Sequence, residues 1–113
     1  FQVSAAHVYL SVPFVLSWSL LEAMACGCLI VGSATPPVQE VLSDGVNSLL
    51  AAFFDGDALT GRILAALEGG AVFEGLRQAA RRTVVAGYER EACVDRQFGF
   101  VTRLVAEDDF VPA

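Results

Sequence analysis

One acid, Glu22, stands in an otherwise apolar run, Ser19-Leu-Leu-Glu22-Ala-Met-Ala-Cys-Gly27, and two hydroxyl residues, Ser17 and Ser19, lie just ahead of it. A carboxylate accepts hydrogen bonds from hydroxyls, and such charge-assisted bonds are the stronger kind. The backbone N–H groups from Leu16 to Ser19, before and in the first turn of a helix, favour negative charge and suit a phosphate. Ser17 and Ser19 add hydroxyl donors to those amides. Trp18 offers a flat ring for stacking on a base, with a hydrophobic plug under the loop as its equal alternative. A carboxylate and a row of helix amides at the edge of a parallel sheet make a setting in which nucleotides bind.

Spacing alone leaves a second account of Glu22 open. Ser19-Leu-Leu-Glu22 has the form of a capping box, in which the carboxylate merely satisfies the Ser19 backbone N–H. Other polar residues are weaker candidates. Ser33 and Thr35 follow an apolar strand at its ligand-side end. Glu40 reads first as an exposed helix residue or loop anchor, and His7 as a packed or edge histidine. Arg77, Arg81 and Arg82 spread over a broad helix face and read as solvated. No residue is singled out as catalytic.

The elements that must hold these groups follow from periodicity and punctuation. Ala6 to Leu10 is a short buried strand ended by Ser11-Val-Pro13, since proline breaks a ladder and keeps its predecessor out of helix. From Ser19 a helix runs through Cys26 and stops at Gly27. Lacking a polar stripe, it is expected to be buried nearly all round. Cys28 to Ser33, apolar almost throughout, reads as a central parallel strand, which completes a βαβ unit of right-handed crossover. Thr35-Pro-Pro37 opens a second helix carrying Val38, Glu40, Val41 and Leu42, and Ser43-Asp-Gly45 ends it.

Leu49 to Phe53 is a third strand, and Asp55-Gly-Asp57 caps a helix from about Ala58 to Glu68 with Leu59, Ile63, Leu64 and Leu67 on one face. Gly69-Gly70 closes it, and an amphipathic helix spans roughly Phe73 to Ala86. A last helix from Glu91 to about Val105 turns Cys93, Phe98, Val101 and Leu104/Val105 inward, before an acidic, frayed tail over 107–113. The fold class is α/β, a partial Rossmann-like arrangement with a short parallel sheet flanked by helices.

Composition narrows the partners. At 113 residues the chain is one domain at most. It is 55% hydrophobic and only 18% charged, richer in apolar side chains than a free-standing domain of this size needs, so part of that surface is expected to face an absent partner domain. Phe1 follows no initiator Met, and the chain reads as a fragment. A net charge of −6, with arginine as the only strong base, argues against nucleic acid or an anionic membrane as partner. Cys26, Cys28 and Cys93 form no CxxC and read as buried small hydrophobes in a reducing compartment, with neither disulfide nor zinc, and cytoplasm as the default location. No apolar run approaches the ~18 residues of a membrane span, so no transmembrane segment is expected.

Three ordered blocks, Ser19 to Ser33, Pro37-Val-Gln-Glu40-Val and Asp44-Gly-Val-Asn47-Ser-Leu-Leu50, resemble the C-terminal domain of GT-B glycosyltransferases, specifically the retaining family called group 1 or family 4. The likeness covers about positions 5 to 105. It implies two facing Rossmann-like domains, the C-terminal one (here residues 1–106, cut at its N-terminal side) holding a nucleoside-diphosphate sugar as donor substrate, with no further cofactor. It implies that Glu22 binds the donor's ribose hydroxyls. The family's first motif glutamate, near the sugar, falls at Phe14 in this chain; Cys28 stands where proline is usual and Ser48 where glycine is.

The activity implied is transfer of a hexosyl-type sugar to an acceptor hydroxyl with retention. Because the family's diphosphate-binding basic residues and its N-terminal acceptor domain lie outside these 113 residues, no autonomous activity is expected of them. A non-catalytic nucleotide-binding module, consistent with Phe14, and a GT-B-like sugar-nucleotide epimerase are the alternatives.

Overall fold

The computed structural model describes residues 1–12 and 14–106; the acidic stretch 107–113 lies outside the described residues. In chain order the elements are β1 (His7–Tyr9), α1 (Trp18–Ala25), β2 (Ile30–Ser33), α2 (Pro36–Gln39), β3 (Leu49–Ala51), α3 (Gly56–Glu68), a 3-10 turn (Gly70–Phe73), α4 (Glu74–Gly87) and α5 (Arg90–Ala106). The strands form a parallel sheet in the order β1-β2-β3, with Val8 opposite Val31 and Gly32 opposite Leu50. It is the α/β arrangement expected from the sequence.

Side-chain alternation divides the core into two layers. Ile30 and Leu50 join Leu20, Ala23 and Met24 of α1, Val38 of α2, and Ala80 and Val84 of α4 on one face. Leu29, Val31 and Leu49 meet Ala66 of α3 on the other, with Leu59 and Ile63 packed against them. A Cβ at Gly32 would come within 3.2 Å of Leu50 Cδ2, so the bare backbone there lets β3's leucine close over β2. Gly27 ends α1 with φ +73°, its N–H bonded to Met24 O while the Cys28 N–H reaches Ala23 O at 3.0 Å. Those paired bonds are the glycine-terminated cap that the sequence suggests.

Several expectations are corrected. Helix α1 is not buried all round: Trp18, Glu22 and Cys26, four residues apart, form an exposed stripe. Its second face has no layer over it, and a short helix needs only one apolar side to dock. Cys26 is exposed and Cys93 half-buried, so of the three cysteines only Cys28 is a core residue. Helix α2 is a single turn; Val41 and Leu42 enter the core from the turn after it. Leu64 and Leu67 of α3 face outward, since Leu59, Ile63 and Ala66 already fill the contact with the sheet.

The largest correction concerns α5. Phe98 is 74% exposed, and Val101, Leu104 and Val105 are exposed with it. Periodicity marks an apolar face without saying what lies opposite, and among the described residues nothing covers this one.

Candidate functional site

The site is built where β1 hands over to α1. Tyr9, the last residue of β1, is buried, and its hydroxyl accepts a hydrogen bond from the Ser17 N–H at 2.9 Å. Ser17 is the N-cap of α1: it has extended backbone geometry and its Oγ accepts from the Ser19 N–H at 3.3 Å. The two hydroxyls of Ser17 and Ser19 lie 3.0 Å apart. Next door, Ser33 at the end of β2 contacts the Ser11 backbone, accepting from its N–H at 3.5 Å and donating to its carbonyl at 3.4 Å. Both links draw the segment after β1 across the sheet edge formed by the strands' C-terminal ends, the ligand side of an open parallel sheet.

The cap corrects one alternative. Ser17, not Ser19, starts the helix, so the capping box at Ser19 does not form. Among the described residues the Glu22 carboxylate has no hydrogen-bond or ion-pair partner, and the residue is exposed. It shares a helix face with Trp18, which is 80% exposed and so plugs nothing. The amide row expected from Leu16 to Ser19 is half committed: the Ser17 and Ser19 N–H groups are bonded internally. Those of Leu16 and Trp18 have no acceptor among the described residues and stay available.

Beside this turn lies an open cleft of about 550 Å³, lined by Phe14, Val15, Leu16, Pro37 and Glu40. Its volume is that of a small-molecule site. Glu40, the weaker acid on sequence, thus faces the same cleft as Leu16. Thr35 occupies the α2 N-cap position without bonding through its side chain, and its buried Oγ1 has no partner among the described residues.

Asn47, buried in the turn before β3, is structural. Its Oδ1 accepts from the Ser43 N–H at 2.8 Å, while its Nδ2 donates to Val41 O at 3.0 Å and Thr83 Oγ1 at 3.2 Å. Arg77 and Arg81 are tied down as well, to the backbone carbonyls of Ala5 and Ala25, rather than left as a free basic face. Among the described residues no three His, Cys, Asp or Glu side chains cluster as metal ligands. No helix among them is long and apolar enough to cross a membrane.

The family model for glycosyl transferases group 1 matches residues 15–83, more than half of the chain. The chain belongs to that family. The matched stretch of this group 1 glycosyl transferase chain runs from Val15 through α1 and Glu22 and ends at Thr83, within α4. Among solved structures it is similar to sucrose-phosphate synthase from Thermosynechococcus elongatus, at 27% identity and a TM-score of 0.77 over 88% of this chain and 25% of that one. It therefore spans about a quarter of that protein's length. The likeness makes the sheet and its helices a Rossmann-like part of the GT-B fold. No curated protein matches the chain.

Proposed function

We propose that these residues are the donor-binding, C-terminal part of a glycosyltransferase that moves a hexosyl group from a nucleoside diphosphate to an acceptor hydroxyl with retention. The observation that carries the proposal is Glu22, an exposed carboxylate with no internal partner among the described residues, one turn into a helix at whose start the Leu16 and Trp18 amides have no acceptor among the described residues. A carboxylate left uncommitted on a family-matched helix is available to accept both hydroxyls of a ribose, and the charge strengthens each bond.

The Leu16 and Trp18 amides suit the donor's diphosphate, adding fixed positive ends of dipoles where charge grows as the sugar leaves. Ser17 and Ser19 flank them, and the Trp18 face is open for the base. In this proposal an N-terminal GT-B domain supplies the acceptor site and further positive charge, and the cytoplasm is the setting. No nucleic acid enters it.

One observation favours a second reading, a nucleotide-binding module without transfer: Phe14 stands where the family's motif has its first acid. Incubating the full-length protein with nucleoside-diphosphate hexoses and sugar acceptors separates the two. Release of nucleoside diphosphate with formation of a glycoside of unchanged anomeric configuration, read by NMR, supports the transferase. Nucleotide binding with no release supports the module.

A further inference from the structure

The cleft beside the free amides has an unusual wall for a sugar. Among the described residues that line it, Phe14, Val15, Leu16 and Pro37 are apolar, and Glu40 carries a polar side chain. The wall formed by α2 is poorer still in donors. That helix opens on Pro36 and Pro37, neither of which has a backbone N–H, so its first two positions present no amide to a ligand. A hexosyl group carries a hydroxyl on nearly every ring edge. Each hydroxyl turned toward Phe14, Val15 and Pro37 would lose water without gaining a partner, whereas a methyl group would not.

Leu16 connects the two halves of the site: it lines the cleft, and its N–H, without an acceptor among the described residues, is open to a phosphate. A group attached to that phosphate is therefore next to the cleft. Glu40 accepts from one or two hydroxyls, which sets how the group lies, and the hydrocarbon side is left for its deoxygenated edge. Resting on the donor-binding reading above, we infer that the cleft selects a deoxygenated hexosyl group, a 6-deoxyhexose with its methyl against Phe14 and Val15, over the parent hexose.

The cleft is open to water and Phe14 is 75% exposed, which limits the selection. An apolar pocket rejects an added hydroxyl by at most roughly a hundredfold, so a preference on the order of tenfold is expected here.

The test uses the full-length protein and calorimetric titration. Uridine, guanosine and thymidine diphosphates are compared first, and the tightest base is then carried into a matched pair, its 6-deoxyhexose and its hexose diphosphate, differing by a single hydroxyl. The expected result is a Kd about tenfold lower for the deoxy sugar. Phe14→Gln, which replaces part of the apolar wall with a hydrogen-bonding side chain and adds no charge beside the Leu16 amide, should bring the two within about twofold. Equal affinities in the unsubstituted protein, or tighter binding of the hexose, would overturn this inference and leave the nucleotide reading standing. Failure of all three diphosphates to bind would overturn both.

Discussion

The hydroxyl of Tyr9 accepts a hydrogen bond from the backbone N–H of Ser17 at 2.9 Å. It joins the last residue of β1 to the N-cap of α1 across the intervening loop, so the sheet edge sets where the helix begins. Tyr9 is well placed for this because its ring is anchored in the core beneath α1. The amides of Leu16 and Trp18, without acceptors among the described residues, flank that bond and inherit their position from it.

Tyr9→Phe keeps the ring and removes the acceptor of the Ser17 N–H, at an exposed residue that water can reach. The expected loss is about 0.5–1.5 kcal/mol of stability, the net worth of one hydrogen bond, read by urea unfolding. Affinity for a nucleoside diphosphate should fall as well. Lost stability with unchanged affinity would mean that the loop holds its geometry without this bond.

Much of this was legible in the sequence, and what was not has identifiable causes. The sheet was readable because Cys28 to Val31 and Leu49 to Ala51 are apolar without interruption, as strands covered on both faces must be. Gly27 marked the end of α1 because few other residues accept its positive φ. The start of α1 was misjudged because Ser17 and Ser19 are both good caps, and the choice was made by Tyr9, a long-range partner that local spacing cannot reveal. The α5 face was read as buried because periodicity shows amphipathicity and not the presence of a neighbour. The apolar cleft was not anticipated, since Pro37 and Glu40 meet Phe14 and Leu16 only through the crossover between strands.

The choice of cap is directly measurable. Ser17→Ala should cost about 1 kcal/mol, the usual worth of an N-cap hydroxyl. Ser19→Ala, at a position that donates its own N–H to the cap, should cost no more than about 0.5 kcal/mol. Thermal melts of the two variants should therefore differ. A larger effect at Ser19 than at Ser17 would restore the capping box and tie Glu22 to its own backbone.

His7 gives the fold a defined acid sensitivity. Burial lowers its pKa below the ordinary value of 6.5, and its Nε2 lies buried without a partner among the described residues. The folded state thus binds this proton less readily than the unfolded state, and stability falls where the unfolded chain takes it up. The contribution is present above about pH 6.5 and is lost as the pH drops through that value toward the lower folded-state pKa. Urea midpoints measured from pH 7.5 down to 5 should decline, and His7→Gln should flatten part of that decline. An unchanged slope in the variant would assign the acid sensitivity to other groups.

Replacing Glu22 by glutamine in the full-length protein, and titrating it with the nucleoside-diphosphate sugar, measures the role of the carboxylate itself. Glutamine keeps the shape and removes the charge at a site where the structure gives the side chain no partner among the described residues. Kd should rise roughly ten- to a hundredfold, as losing charged hydrogen bonds worth about 1.5–3 kcal/mol requires. The unfolding midpoint should stay where it was. An unaltered Kd, or a fall in stability in place of affinity, would contradict the assignment of Glu22 to the donor's ribose.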